Sequence, residues 1–257
     1  MIYDCFTFFN ELELLEIRLH ELDPWVDRFV LVESPETFSG NSKPLTFKEN
    51  KHLFAPFLPK IIHLVSPPAE NPKNAWDRQV NQRDYAMCAL SGCMDDDLIL
   101  VSDVDEIING RDFVRTQGNS DLMTMFIQKN YIYYMNLLRP GGWAGAVLLP
   151  YKILKSVYAG SLFKARMQRR KGRKTTGGWH FSNLGGLESV ILKMKSSGHF
   201  DSKGTKMFLA DTKKLQDRIE VTRAVKGRKL LLVPTDDYPV WFRENIEKFK
   251  HLLTEEK

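Results

Sequence analysis

The first half of the chain alternates between short apolar runs and segments with helical spacing of apolar residues. Four strands are predicted, at residues 1–9, 28–33, 60–65 and 97–102. A helix is predicted from the candidate N-cap Asn10 to Leu22, because its leucines recur on one face. A second helix follows the candidate N-cap Asn74 and extends to about Leu90. The pattern therefore predicts an α/β fold with a Rossmann-like, mostly parallel sheet flanked by helices.

The second half of the chain has a less regular pattern. It predicts strands at 121–128, 131–138 and 178–182 and helices at 186–194 and 239–253. Residues 141–145 indicate a tight, glycine-rich turn, and the basic run 164–174 has little apolar content, which predicts a mobile surface loop. Since the chain has no internal repeat and no low-complexity linker, residues 1–257 are expected to form a single domain.

Composition limits the class of protein. The chain has 257 residues, of which 43% are hydrophobic and 27% charged, as is usual for a globular domain. A net charge of +5 weakly favours anionic partners. The cysteines lack metal-ligand spacing and are expected to be reduced, buried thiols: Cys5, Cys88 and Cys93. No apolar run has the roughly 20 residues that span a bilayer, and acidic residues interrupt the N-terminal run, so a cytoplasmic protein without a signal peptide is expected.

An Asp-x-Asp directly follows the fourth predicted strand. On an extended strand Asp103 and Asp105 would lie on one face, with Val104 directed to the core. Two converging carboxylates repel each other unless a cation neutralises them. Their hard oxygen atoms suit Mn²⁺ or Mg²⁺, and water and substrate phosphates usually fill the remaining coordination positions of such an ion. The pattern therefore predicts a metal–diphosphate site. The alternative is that Asp103 caps a turn and Asp105 is solvated.

Further candidate ligands follow the other strands of the first half. Aromatic and polar groups after the first two strands could hold a nucleobase and ribose, and three polar side chains on the second helix could reach a diphosphate. The alternatives are core packing for the aromatic residues and a solvated face for the helix. The candidates are Phe8, Asn10, Glu11 and Glu33 at the strand ends, and Arg78, Gln82 and Arg83 on the helix.

Residues 177–182 form a second group of candidate ligand residues. Its two glycines let the backbone approach a ligand, Trp179 offers a stacking face for it, and His180 offers an imidazole to a metal ion or phosphate. His199 is a weaker candidate for the same role. Glu188 falls in the first turn of the next predicted helix, where the helix dipole favours an ionised carboxylate that could act as a general base. The alternative for Glu188 is a surface residue.

Several blocks of the sequence resemble glycosyltransferase family 17 over roughly residues 1–200. They are YDCFTFFNE (3–11), LLEIRL (14–19), FVLVES (29–34), SDVDEI (102–107) and GWH (178–180). The resemblance implies a GT-A-type fold. The order of strands and helices predicts a nucleotide-sugar half in residues 1–106, which leaves 107–257 as an acceptor half that ends in a helix. The resemblance also implies Mn²⁺ dependence, a UDP-sugar donor such as UDP-GlcNAc, and inversion at the anomeric carbon. Asp103 and Asp105 would hold the metal and the diphosphate, and the acceptor would be a glycan, a glycoprotein or a lipid-linked glycan.

Two other functions are compatible with parts of the sequence. A sugar-phosphate nucleotidyltransferase would usually carry a glycine-rich basic loop after the first strand, whereas residues 6–15 contain neither glycine nor a basic residue. A non-catalytic binder of nucleic acid or another anionic ligand could use the run 164–174. That run lacks aromatic residues for base stacking, so no nucleic-acid partner is expected, and peripheral contact with an anionic membrane stays open.

Overall fold

The sheet that the alternating pattern predicts is present in the computed structural model, which describes residues 1–112, 122–220 and 230–255. Its strands are β1 (Ile2–Thr7), β2 (Arg28–Glu33), β3 (Ile61–Val65), β4 (Leu98–Asp103), β5 (Glu106–Ile107), β6 (Thr124–Ile132), β7 (Leu137–Pro150), β8 (Arg173–Ser182) and β9 (Leu231–Leu232). Their order is β3-β2-β1-β4-β7-β6-β8-β5, with β9 paired to β7. Within the described residues all strands except β5 and β7 run in the same direction. The predicted α/β fold with a mostly parallel sheet is confirmed.

Helices flank this sheet and connect its strands. They are α1 (Leu12–Leu22), α2 (Thr46–Asn50), α3 (Ala75–Asp84), α4 (Tyr151–Tyr158), α5 (Leu162–Met167), α6 (Gly186–Ser196), α7 (Lys203–Ala210), α8 (Thr212–Glu220) and α9 (Val240–Glu244). Short 3-10 helices occupy Lys51–Phe57, Tyr85–Ala89, Arg169–Lys171 and Lys250–Leu252. In the described residues no helix is long and apolar enough to cross a membrane.

Two helix N-caps were predicted, and the structure has one of them. Asn74 is the N-cap of α3 as predicted, and its side-chain oxygen accepts a hydrogen bond from the backbone of Trp76 at 2.8 Å. The predicted cap Asn10 is wrong, because α1 begins at Leu12 and its N-cap is Glu11. The Glu11 carboxylate accepts instead from the backbone N–H groups that precede the helix, including that of Asn10 at 3.1 Å.

Apolar side chains cover both faces of the sheet at its centre. The neighbouring residues Cys5 and Phe6 of β1 belong to different core clusters, as strand alternation requires. The Phe6 cluster packs against α1, and the Cys5 cluster packs against α4 and α5. This two-sided burial holds the carboxyl ends of β1 and β4 at one edge, where Thr7 lies opposite Asp103.

The second half departs from its predicted strands. The predicted break near residue 130 is wrong, because β6 is continuous to Ile132 and pairs with the long strand β7. Residues 141–145 lie within β7 rather than in a tight turn. Gly141 and Gly142 have φ angles of 107° and 67°, and the β6–β7 pairing shifts register nearby, so the glycines accommodate a bulge in the strand. Residue 121 of the predicted strand lies outside the described residues.

The C-terminal helix and the cysteines also differ from expectation. The predicted helix 239–253 is divided into α9 and a 3-10 turn, because Asn245 leaves helical geometry with φ −121°. Its apolar face still packs where it was predicted, with Phe242 and Phe249 fully buried. The prediction of buried thiols holds for Cys5 but is wrong for Cys88, which is exposed, and for Cys93, which is half-buried.

Candidate functional site

Asp103 lies at the carboxyl end of β4, between two guanidinium groups. Its Oδ1 is paired with Arg83 and accepts a hydrogen bond from Thr7 Oγ1 at 3.3 Å, and its Oδ2 accepts from Arg166 at 2.6 Å. Burial raises the pKa of Asp103, but Arg166 and Arg83 outweigh burial and hold that pKa well below its usual range. The side chain is 34% exposed. Asp103 is thus a fixed, ionised carboxylate with one side open.

The chain turns sharply after Asp103. The strand ends there and Val104 and Asp105 form a turn, so the strand alternation that placed both aspartates on one face does not extend to Asp105. Val104 is buried in the core as predicted. Arg18 fixes this turn, since its Nη1 donates to the carbonyl of Glu106 at 2.8 Å and its guanidinium forms a buried ion pair with Asp4.

Asp105 faces a lysine and a histidine. Its Oδ2 accepts a hydrogen bond from Lys193 at 2.7 Å, and its Oδ1 lies 3.8 Å from His180 Nε2. The other ring nitrogen, Nδ1, lies 3.0 Å from the side-chain oxygen of Asn130, which can only accept a hydrogen bond. Burial lowers the pKa of His180, although Asp105 opposes this shift. The Nε2 side of the imidazole therefore faces Asp105, while its Nδ1 side is held by Asn130.

Glu106 is a fully buried anchor beside this pair. It accepts hydrogen bonds from Arg166 Nη1 and Nη2 at 2.6 and 2.7 Å and from Trp143 Nε1 at 2.6 Å. Burial lowers the pKa of Arg166, but Asp103 and Glu106 raise this pKa by a larger amount, so that it lies above its usual value. The Trp143 ring stacks on His180, with centroids 4.4 Å apart. Glu106, Arg166 and Trp143 together fix the positions of Asp103 and His180.

The predicted mobile loop 164–174 is wrong. Its residues belong to α5, to the 3-10 turn Arg169–Lys171 and to the start of β8. The reason is charge pairing, because Arg166 neutralises two carboxylates whose burial alone would be costly. A sequence signal for this helix exists, since the Ser161 side chain accepts from the backbone of Lys164 at 3.1 Å as an N-cap.

Lys193 of α6 borders a cavity next to Asp105. Its ammonium also lies 3.4 Å from Glu11 Oε1. Burial lowers the pKa of Lys193, but Asp105 and Glu11 raise this pKa by a larger amount. The amine is therefore charged. The cavity has a volume of about 300 Å³, and its polar lining includes Asn10, Glu11, Ser189 and Lys193.

Three of the predicted nucleotide ligands are buried among protein atoms. Phe8 is a core residue, and the carboxylate of Glu33 accepts hydrogen bonds from the backbone of Phe47 at 2.9 Å and of Lys48 at 3.3 Å. Gln82 donates to the carbonyl oxygen of Val32 at 2.8 Å. These side chains join β1, β2, α2 and α3 beneath the edge where Asp103 lies.

The remaining α3 candidates separate. Arg83 reaches Asp103, whereas Arg78 forms an ion pair with Glu36 at 3.3 Å. The solvated helix face that was the alternative is wrong for Arg83, which is buried. His199 contacts Trp76 edge to face, with ring centroids 5.0 Å apart.

Trp179 is buried in the core, whereas Glu188 is exposed. Trp179 is 3% exposed, and its indole N–H donates to the carbonyl of Asp237 at 2.7 Å. Trp143, which the sequence did not single out, is the aromatic neighbour of His180 instead. Glu188 is in the first turn of α6 as predicted and is exposed, and its role as a base stays a prediction.

The residues around Asp105 form a partial ligand set. In the part of the chain that the structure describes, no three His, Cys, Asp or Glu side chains come together as a complete metal site. Asp105 and His180 offer one oxygen and one nitrogen 3.8 Å apart, and Asp103 adds a carboxylate at the same edge. Any metal ion held here needs ligands from a bound molecule to complete its coordination.

Comparison with known proteins gives the chain a family. The sequence model of glycosyltransferase family 17 matches residues 1–248. The rat protein beta-1,4-mannosyl-glycoprotein 4-beta-N-acetylglucosaminyltransferase is 23% identical over an alignment 283 residues long, which covers 95% of this chain. The chain spans about half of that relative, 53% of its length.

The similarities to solved structures are weaker. HddC from Yersinia pseudotuberculosis is 13% identical with a TM-score of 0.41, and the match covers 69% of this chain and 89% of HddC. An active-site mutant of LgtC is 14% identical with a TM-score of 0.38, covering 100% of this chain and 98% of LgtC. Because the family match extends over nearly all of its residues, the chain belongs to glycosyltransferase family 17.

Proposed function

We propose that this chain is a metal-dependent, inverting glycosyltransferase that transfers a sugar from a UDP-sugar, UDP-GlcNAc, to a glycan, glycoprotein or lipid-linked acceptor. The observation that carries the proposal is the pair Asp103 and Asp105 at the carboxyl end of β4, with His180 Nε2 facing Asp105. In open parallel sheets ligands bind outside the carboxyl ends of the strands. Membership of the family supports the sugar-transfer chemistry.

The side chains at this edge fit Mn²⁺ or Mg²⁺. An octahedral ion with bonds of about 2.1 Å holds adjacent ligand atoms about 3.0 Å apart, so Asp105 Oδ1 and His180 Nε2, which are 3.8 Å apart, need a side-chain movement of about 1 Å to share one ion. Asp105 and His180 would hold the ion, with Asp103 placed at the same edge, and phosphate oxygens of the donor would complete its ligands. When bound, such an ion supplies a Lewis acid that stabilises negative charge on the departing UDP.

The surrounding residues prepare the edge for a diphosphate. Arg83 and Arg166 keep Asp103 ionised and fixed, and the second ring nitrogen of His180 is held by Asn130. An outer partner of this kind fixes the orientation of a ligating imidazole. The adjoining cavity of about 300 Å³ lies at the lower end of the range for small-molecule sites, which suits a sugar bound beside Lys193 and Glu11.

The two alternative functions have less support. A binder of nucleic acid or other anions through residues 164–174 loses Arg166, whose charge is already taken up by Asp103 and Glu106. For a nucleotidyltransferase, the loop after β1 still lacks the basic and glycine residues that phosphate contacts would need. Sugar transfer is therefore the function that the geometry supports best.

The proposal is tested with UDP and metal together. We expect UDP plus Mn²⁺ to raise the melting temperature of the protein more than either alone, because binding to the folded state stabilises it. UDP release from UDP-GlcNAc in the presence of glycan acceptors should require Mn²⁺ or Mg²⁺ and stop on addition of EDTA. The absence of both the thermal shift and UDP release would contradict the proposal.

The predicted base Glu188 has its own test. Glu188→Gln is expected to keep the affinity for UDP and Mn²⁺ while lowering kcat by at least about 10²-fold, since general-base catalysis contributes that much or more. The matched control is Glu247→Gln, an exposed carboxylate in the C-terminal segment, which should leave kcat unchanged. Transfer at the wild-type rate by Glu188→Gln would remove Glu188 as the base.

A further inference from the structure

Lys193 lies between the adjoining cavity and the acidic edge of the sheet, which is formed by Asp103, Asp105 and Glu106. Its ammonium donates to Asp105 Oδ2 at 2.7 Å, lies 3.4 Å from Glu11 and borders the cavity of about 300 Å³. The side chain is 31% exposed, so it has room to move into the cavity. Lys193 thus contacts a proposed metal ligand while remaining accessible to a molecule that enters the site.

The acidic edge is close to neutral in the free protein. Among the described residues that contact one another here there are four carboxylates and three cations: Asp103, Asp105, Glu106 and Glu11 against Arg83, Arg166 and Lys193. A site whose carboxylates are already paired attracts a free divalent cation only weakly, because the cation must compete with the protein's own charges.

Lys193 differs from the two arginines in how firmly it is held. Arg83 and Arg166 are buried and make several hydrogen bonds, such as that from Arg83 Nη1 to the Ser102 carbonyl at 2.8 Å. A lysine ammonium is a compact charge on a flexible stem and can rotate to a new anion without breaking a bidentate geometry. Lys193 is therefore the cation of this cluster that can change partners.

We propose that Lys193 binds the diphosphate of the nucleotide-sugar donor, and that its release of Asp105 makes tight metal binding conditional on the donor. This inference rests on the proposed function. A diphosphate offers Lys193 more negative charge than Asp105 does, and once Lys193 turns to it both oxygens of Asp105 are available to a cation. Since coupling between two ligands is reciprocal, UDP tightens the binding of Mn²⁺ by the same factor as Mn²⁺ tightens the binding of UDP.

Two binding titrations test this role without any activity measurement. In the wild-type protein, UDP should tighten Mn²⁺ binding at least about tenfold. Lys193→Met should bind free Mn²⁺ about tenfold more tightly than wild type and UDP at saturating Mn²⁺ about tenfold more weakly, as expected for the loss of one charged hydrogen bond. Lys195→Met, which removes the charge of an exposed lysine on the same helix, should change neither affinity.

The outcomes separate this inference from the proposed function. If the wild-type protein binds UDP with equal affinity with and without Mn²⁺, the proposed function fails. If that dependence is present but Lys193→Met leaves both affinities unchanged, or weakens both together, the role of Lys193 is overturned and the proposed function stands. Should Lys193→Met fail to fold, Lys193→Gln, which keeps a donor towards Asp105, replaces it with the same two expected shifts.

Discussion

Replacing Arg166 with methionine is expected to destabilise the folded protein by about 3–5 kcal/mol, because the change leaves buried carboxylates without their partner. Arg166 donates two hydrogen bonds to the fully buried Glu106 and one to Asp103. Methionine fills a similar volume but carries no charge, so Glu106 must either stay ionised and uncompensated or take up a proton. Urea unfolding monitored by tryptophan fluorescence measures the free energy of unfolding.

The control for this change comes from the same basic run. Arg170 is exposed, and Arg170→Met should alter the free energy of unfolding by no more than about 0.5 kcal/mol. A loss of stability in Arg166→Met no larger than that of the control would show that the pairing with Glu106 and Asp103 does not organise the site.

Asp105→Asn is expected to lower kcat/KM for sugar transfer by at least about 10³-fold. The substitution keeps the size of the side chain and an oxygen that can accept from Lys193 at 2.7 Å, but removes the negative charge that a divalent cation needs. Lewis-acid stabilisation of a departing diphosphate contributes several kcal/mol, and each 1.4 kcal/mol corresponds to about a factor of ten in rate. Initial rates of UDP release at saturating Mn²⁺ measure the effect.

The matched control is an aspartate just before the same strand. Asp96 is exposed and pairs with Lys152, and Asp96→Asn should transfer sugar at the wild-type rate. Unfolding curves for both variants should resemble the wild-type curve. If folded Asp105→Asn retained transfer within about tenfold of wild type, the charge of Asp105 would not be required for the reaction.

The first half of the fold could be predicted from sequence because its signals are local. The strand 28–33 has the predicted bounds, and the predicted strand 97–102 differs from β4 by one residue at each end. Each strand is a short apolar run bounded by polar residues, and burial on both faces of the sheet produces that run directly. The acidic pair was evident for the same reason, since it follows an apolar run without interruption.

The partners of the acidic pair could not be predicted because they are distant in sequence. Arg166 is 63 residues from Asp103, and Lys193 is 88 residues from Asp105. Arg166 lies in a run rich in basic residues, and such segments are typical of solvated surfaces. What buries Arg166 is a carboxylate from another element, which leaves no trace in the pattern around residue 166.

Two predictions for Trp179 and His180, a shared ligand site and a shared strand, were incompatible with each other. Both were assigned to one ligand site and also to one predicted strand, yet successive residues of a strand point to opposite faces. In β8 His180 faces Asn130 and Asp105, whereas Trp179 packs with Phe181 in the core on the other side. Trp143 lies beside His180 because the bulged strand β7 brings it there, which a single-strand pattern does not reveal.

The central claim is that a metal ion and a diphosphate meet at the carboxyl end of β4. Crystals grown with UDP and Mn²⁺ and measured at an X-ray energy where manganese scatters anomalously locate the ion directly. We expect an anomalous peak within about 2.3 Å of an Asp105 carboxylate oxygen and of His180 Nε2, with UDP phosphate oxygens among its other ligands. Bound UDP with no manganese peak at Asp105, or a peak at another place in the protein, would contradict the claim.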